Sequence, residues 1–144
     1  IDAETFLQGQ LTVNLKNVTT SMSQLAAHCN LKGRMQSVFR LIKITSSPND
    51  AFLLLTPKAL LPLAVTNLKK YAIFSKVTLN ETNDFTVFGL VGSGTPQLLG
   101  AQDLPIGGCL ARDEYIICRM PGITPRFEII VPTALAEKFA ALYS

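Results

Sequence analysis

The sequence contains few of the residues from which metal centres and reactive sites are usually built. It has no tryptophan, one histidine and three cysteines in 144 residues. Cys29, Cys109 and Cys118 show no CxxC spacing, so the sequence favours neither a zinc site nor a disulfide framework. We therefore expect three reduced thiols, no metal centre and a protein of the reducing cytoplasm.

Charge and long apolar runs are also scarce. Only 16% of the residues are charged, with 13 Lys and Arg against 10 Asp and Glu, so the net charge of +3 argues for no direct nucleic-acid partner. Disorder is excluded because 48% of the residues are apolar. No apolar run reaches the roughly 18 residues of a membrane span, which predicts a soluble protein without a membrane partner.

The sequence does contain a regular succession of short apolar segments separated by turn residues. These segments have the periodicity of three helices and eight strands, and polar turn residues at 80–84 divide them into two sets. The predicted helices are 2–10, 56–70 and 132–143; the predicted strands are 24–28, 34–44, 51–55, 72–79, 85–91, 109–112, 114–119 and 126–131. The sequence therefore predicts an α+β fold with two units, residues 1–83 and 84–144.

Two details of the helices can be read from their ends and faces. Thr56 is the expected N-cap of the second helix, with Pro57 at its first position and Pro62 shifting or kinking the start. In the third helix, the spacing of Leu135, Phe139 and Leu142 predicts one apolar face.

Recognisable catalytic motifs are missing. The glycines at 89–94 form neither a dinucleotide fingerprint nor a P-loop, so they are interpreted as a turn. His28 and Cys29 are neighbours on a strand and point to opposite faces, so they cannot form a nucleophile pair, and His28 is interpreted as a packing residue. We predict no catalytic residue from these patterns.

Glu128 stands out because it interrupts the apolar run at 127–131. A charge in such a run lies either on the open face of an edge strand or toward a ligand. Spacing alone favours the first alternative.

Three segments in chain order carry a resemblance to a known family. The segments are 6–12 (FLQGQLT), 25–35 (LAAHCNLKGRM) and 68–78 (LKKYAIFSKVT), and they resemble the YgfZ family of folate-binding proteins. The segment 119–132 is similar to the Phe-Glu-Ile and Val-Pro motifs of the wider superfamily of the glycine cleavage T-protein, a tetrahydrofolate-dependent aminomethyltransferase.

The resemblance implies a fold and a function. The expected fold is two ferredoxin-like units around a folate cavity, followed by a barrel domain that, with the family's signature cysteine segment, would lie beyond Ser144. The expected function is a cytoplasmic tetrahydrofolate-binding accessory protein that supports iron-sulfur enzymes and, through them, tRNA modification. Its expected partners are folate and iron-sulfur tRNA-modifying enzymes.

The resemblance also assigns site residues. Glu128 matches the pterin-binding carboxylate of the Phe-Glu-Ile motif, and Ser37, Phe39 and Leu41 would form one wall of the cavity. Gln36 and Ser37 stand where T-proteins carry paired aspartates, and Gln36 cannot act as a base. A non-enzymatic protein is therefore favoured over an aminomethyltransferase, and a scaffold that only binds a partner is the third alternative.

Overall fold

The computed structural model describes residues 3–45 and 50–143. The chain divides into two compact units, residues 1–81 and 82–144. Between the predicted strands 34–44 and 51–55, the turn-forming residues 46–49 lie outside the described residues.

The first unit is built around a three-stranded antiparallel sheet. Its helices are α1 (Ala3–Gln10) and α2 (Leu61–Ala72), with short 3-10 helices at Leu15–Asn17 and Lys58–Leu60. Its strands are β1 (Gln24–Cys29), β2 (Met35–Thr45) and β3 (Ala51–Leu55), in the order β1-β2-β3. Apolar side chains from α1, the sheet and α2 form one core, which includes Phe6, Leu15 and Leu68.

Two predictions for this unit are wrong. Thr56 caps no helix: the chain first forms the 3-10 turn, α2 begins at Leu61, and the Thr56 hydroxyl is buried without a hydrogen-bond partner among the described residues. Pro62 explains the delay, because proline is tolerated in the first turn of a helix but not in its interior.

The strand predicted at 72–79 does not form, because α2 continues through Ala72 and a turn follows it. The backbone N–H of Ser75 donates to the carbonyl of Ala72, and Ile73 and Phe74 are 76% and 94% exposed. Val77 and Leu79 pack partly against the core of the first unit as irregular chain. The apolar and β-branched residues that predicted a strand therefore contribute to the core without pairing with another strand.

The second unit contains a four-stranded antiparallel sheet and two helices. Its strands are β4 (Phe85–Val91), β5 (Cys109–Ala111), β6 (Ile116–Met120) and β7 (Arg126–Pro132), in the order β4-β7-β6-β5. Its helices are α3 (Thr95–Leu98) and α4 (Ala136–Tyr143), and a 3-10 turn, Thr133–Leu135, precedes α4. One face of the sheet packs on α4 through a core that includes Ile117, Phe127, Ile129 and Phe139.

The apolar face predicted for the C-terminal helix is partly wrong. Phe139 is 4% exposed and Leu135 packs against the core, but Leu142 is 69% exposed and Tyr143 packs there instead. Phe139, Leu142 and Tyr143 all lie within α4 (Ala136–Tyr143), and at about 100° per residue Tyr143 is about 40° from Phe139 around the helix, whereas Leu142 is about 60° away on the other side. None of the helices in the two described ranges is long and apolar enough to cross a bilayer.

Candidate functional site

Glu128 lies on an inner strand of the second sheet. Strand β7 pairs with β4 on one side and β6 on the other, and Glu128 is directly opposite Gly89 and Cys118. The core side of this sheet is formed by the adjacent Ile129, whose direct partner Ile117 belongs to the same core. Because successive side chains alternate between faces, Glu128 points to the other face. The expectation that places it on an edge strand is therefore wrong.

The surroundings of Glu128 combine an open space with apolar neighbours. A Cβ atom added to Gly89 would meet no atom within 4 Å beyond its chain neighbours, so space is open beside the glutamate. Val87 and Val91 lie two residues to either side of Gly89 on the same face and are 45% and 65% exposed. Cys118, on the opposite side, is fully buried. Glu128 thus lies between two different surroundings. Its partner on β6, Cys118, is buried, and its surroundings on the β4 side are open and apolar.

Glu128 is half-buried as a residue, and no residue within 3–45 or 50–143 forms a hydrogen bond or an ion pair with its carboxylate. Its two oxygens can accept two parallel hydrogen bonds from one planar group. This geometry suits a ligand that presents two N–H groups side by side.

The three other predicted site residues lie on one face of β2 in the first unit. Ser37, Phe39 and Leu41 alternate along the strand and are all at most 2% exposed. Phe39 and Leu41 belong to the apolar core of that unit. The Ser37 hydroxyl is buried and has no hydrogen-bond partner among the described residues. The structure therefore brings these three residues to one face, and Glu128 belongs to the other unit.

His28 is the direct partner of Ser37 across the β1–β2 pair. It is 2% exposed, its Nδ1 atom lacks a hydrogen-bond partner within the described part of the chain, and its ring meets that of Tyr71 edge-on at 6.1 Å. Burial lowers the pKa of His28 below 6.5, because the imidazolium would lose hydration there. The imidazole is consequently neutral at pH 7, as suits a packed residue.

Two residues that the sequence did not identify contribute to these sites: Gly89 lies beside Glu128 in the second unit, and Asn67 lies on α2 in the first unit. Gly89 was interpreted as part of a turn, whereas it lies inside β4 opposite Glu128. A glycine inside a strand that faces a charged residue is the signal that could have identified it. Asn67 is 6% exposed on α2, and its burial has no signal in the sequence.

Within the described ranges, no three His, Cys, Asp or Glu side chains lie close enough together to hold a metal ion. The structure contains Cys29, Cys109 and Cys118 without a disulfide, and their reduced state stays a prediction. Cys109 and Cys118 are direct partners across β5 and β6, and both are buried.

The fold is similar to that of a solved structure. The glycine cleavage system aminomethyltransferase T from Bartonella henselae matches 98% of this chain and 40% of its own, with a TM-score of 0.81 and 17% sequence identity. The chain is therefore an α+β protein with two antiparallel sheets and the fold of an aminomethyltransferase T-protein.

The sequence matches extend this assignment, although no protein-family profile matches. The tRNA-modifying protein YgfZ of Colwellia psychrerythraea is 33% identical over 143 residues, which cover 94% of this chain and 43% of that protein. YgfZ of Photorhabdus laumondii is 30% identical over 141 residues, covering 95% and 42%. YgfZ of Vibrio atlanticus is 36% identical over 98 residues, covering 68% and 29%. The chain belongs to the YgfZ family, and it spans less than half the length of these relatives.

Proposed function

We propose that this chain is the tetrahydrofolate-binding part of an accessory protein for tRNA modification, with Glu128 as the anchor for the pterin ring. The observation that carries the proposal is the carboxylate of half-buried Glu128, which has no partner in the described ranges and lies beside open space at Gly89. The relatives named tRNA-modifying proteins support the wider role.

The chemistry of a pterin suits this place on the sheet. The 2-amino group and the adjacent ring N–H of a pterin donate two parallel hydrogen bonds, which a carboxylate accepts with both oxygens. The flat ring would lie over the apolar side chains of Val87 and Val91, where the absence of a side chain at Gly89 leaves room.

The rest of the proposal follows the family. Within the first unit, we propose Ser37 as a polar ligand contact, because its buried hydroxyl has no hydrogen-bond partner among the described residues, whereas Phe39 and Leu41, which the resemblance assigns to the same wall, pack in the apolar core. The two units would correspond to ferredoxin-like units, and the protein would act in the cytoplasm on iron-sulfur tRNA-modifying enzymes. Similarity to a T-protein favours aminomethyl transfer as the second candidate. The neutral Gln36 weighs against it, because an amide supplies no base.

The proposal is tested by calorimetric titration of the intact protein with tetrahydrofolate. Glu128→Gln keeps the size and removes the charge, so it should weaken binding by about 1.5 to 3 kcal/mol, or roughly 10- to 150-fold. Glu137→Gln is the matched control, because Glu137 is an exposed glutamate of the same unit, and it should leave the affinity unchanged. Equal affinities of wild type and Glu128→Gln would remove Glu128 from the site.

A further inference from the structure

A pocket of about 410 Å³ opens in the first unit, between the β1–β2 loop and helix α2. This volume is in the range of small-molecule sites. Lys32 and Arg34 line it from the loop, and Asn67, Lys70 and Tyr71 line it from the helix. The three helix residues are spaced at i, i+3 and i+4, so they lie on one helix face.

The pocket carries an uncompensated positive charge. Lys32, Arg34 and Lys70 line it, and no carboxylate does. None of these three cations forms an ion pair with a residue in the described ranges. Three cations around one concavity repel each other unless an anion lies between them. The charge pattern therefore points to an anionic ligand.

Asn67 lines the pocket and carries an unused hydrogen-bond donor that is buried behind the pocket surface. Its side chain is 6% exposed, and the Lys70 ammonium donates to its Oδ1 atom at 3.4 Å. Because an ammonium can only donate, this contact fixes the orientation of the amide. The Nδ2 group is left buried without an acceptor among the described residues. A buried donor of this kind is costly unless something accepts from it.

The loop that carries two of the cations is held in place by its own polar groups. The Asn30 side chain accepts hydrogen bonds from the backbone N–H groups of Lys32 at 2.9 Å and Arg34 at 3.0 Å. Gly33 adopts φ +72°, a left-handed conformation that glycine reaches without strain. The two cations therefore extend from a preorganised turn, which reduces the entropy lost on binding.

Gln36 completes the lining through an irregularity in the sheet. His28 is opposite Ser37, but Cys29 is opposite Met35, so Gln36 is an extra residue in β2 and forms a bulge. Bulges redirect side chains, and this one contributes a neutral amide to the pocket wall. The amide can donate to an anion without adding negative charge.

We propose that this pocket binds a small phosphate monoester, with the phosphate held by Lys32, Arg34 and Lys70 and with Asn67 responding to it through its hydrogen bond with Lys70. A phosphate monoester carries a charge of about −1.5 to −2 at pH 7 and three acceptor oxygens, which suits three cations better than a single carboxylate does. Arg34 can bind two of the oxygens through its planar fork. Tyr71 lines the pocket and is 43% exposed as a residue, and its ring would contact a planar substituent such as a nucleobase.

The test is a titration of the intact protein with AMP and, separately, with inorganic phosphate at constant ionic strength. Both should bind saturably, AMP more tightly, and both should shift the side-chain amide signals of Asn67 in NMR spectra. Arg34→Gln and Lys70→Gln should each weaken AMP binding about tenfold or more. Lys69→Gln is the matched control, because Lys69 is the exposed neighbour on α2 outside the pocket, and it should change the affinity less than about twofold.

Three outcomes would overturn the proposal. An equal loss in Lys69→Gln would mean that only general surface charge attracts the anion. Unchanged Asn67 signals at saturation would place the anion elsewhere. A short single-stranded RNA that binds much more tightly than AMP through the same residues would identify a nucleic-acid surface instead of a small-molecule pocket.

The proposal shares no residue with the pterin anchor, so the two tests fail separately. Glu128→Gln should leave AMP binding unchanged, and Arg34→Gln, on the exposed loop, keeps the pocket testable if Lys70→Gln destabilises α2.

Discussion

Phe139 is the side chain through which α4 is attached to the second sheet. Its ring centroid lies 5.0 Å from that of Phe88, 5.3 Å from that of Tyr115 and 4.7 Å from that of Tyr143, and the residue is 4% exposed. Replacing a buried phenylalanine with alanine typically costs about 3 to 5 kcal/mol, because contacts are lost and a cavity remains. Three aromatic partners place Phe139→Ala in the upper part of that range.

This loss is large compared with the stability that the second unit can have. At about 0.05 to 0.15 kcal/mol per residue, a unit of residues 82–144 is stable by about 3 to 9 kcal/mol. Phe139→Ala should therefore remove most of the free energy of unfolding of this unit, measured by denaturant titration with circular dichroism. Phe139→Leu fills part of the cavity and should lose less, which keeps the comparison measurable if the alanine variant does not fold.

Leu142→Ala provides the control, because Leu142 lies on the same helix but is 69% exposed. Its effect should stay within about 0.5 kcal/mol. Equal losses for Phe139→Ala and Leu142→Ala would refute the assignment of the buried helix face.

Two further predictions concern buried charge. The free energy of unfolding should fall as the pH is lowered below about 6.5, because the unfolded chain protonates His28 there while burial lowers its pKa in the folded state; His28→Gln should flatten this part of the pH profile. The Lys43 side chain is 13% exposed. Its Nζ atom lies 3.2 Å from Oε2 of Glu4 and 3.1 Å from Oδ1 of Asp50. Burial lowers the pKa of Lys43, but hydrogen bonds and charge attraction from Asp50 and Glu4 outweigh burial and raise it. Lys43→Met should destabilise the protein by about 1 to 3 kcal/mol in denaturant titration, between the values for surface and buried ion pairs, and a change below about 0.3 kcal/mol would show that the two carboxylates do not depend on Lys43.

Most strands could be predicted from the sequence, because their apolar runs end at strong turn signals. Strand β4 coincides with the predicted 85–91, and β3 with the predicted 51–55. The turn after β1 was also predictable from Gly33, which adopts the left-handed conformation there. These features depend on local chemistry, which a single sequence contains.

The errors occur where tertiary contacts decide. The segment 72–79 has the composition of a strand, but α2 continues into it and no strand pairs with it among the described residues. At the C-terminal helix, the spacing of Leu135, Phe139 and Leu142 gives no information about which side of Phe139 the sheet covers, and the sheet covers Tyr143 instead of Leu142. Local periodicity cannot specify which residues a neighbouring element will cover.

The candidate site was likewise predictable only in its local features. An isolated glutamate in an apolar run was visible in the sequence, and the family resemblance gave it a role. The choice between an edge strand and an inner strand was not visible, because it depends on whether β6 pairs with β7. Neither the open space at Gly89 nor the buried amide of Asn67 could be inferred, because both arise from residues distant in the chain.

The two proposed sites have opposite electrostatic character, and this makes their ligands distinguishable. Glu128 can only accept hydrogen bonds while ionised, so it selects a ligand face that carries N–H groups. Lys32, Arg34 and Lys70 can only donate, so they select oxygen anions. Raising the salt concentration should therefore weaken phosphate binding at the exposed cations much more than pterin binding at half-buried Glu128, since screening acts mainly on solvent-exposed charges. A salt series with AMP and tetrahydrofolate on the same protein would separate the sites without any substitution, and equal salt slopes for the two ligands would contradict this assignment.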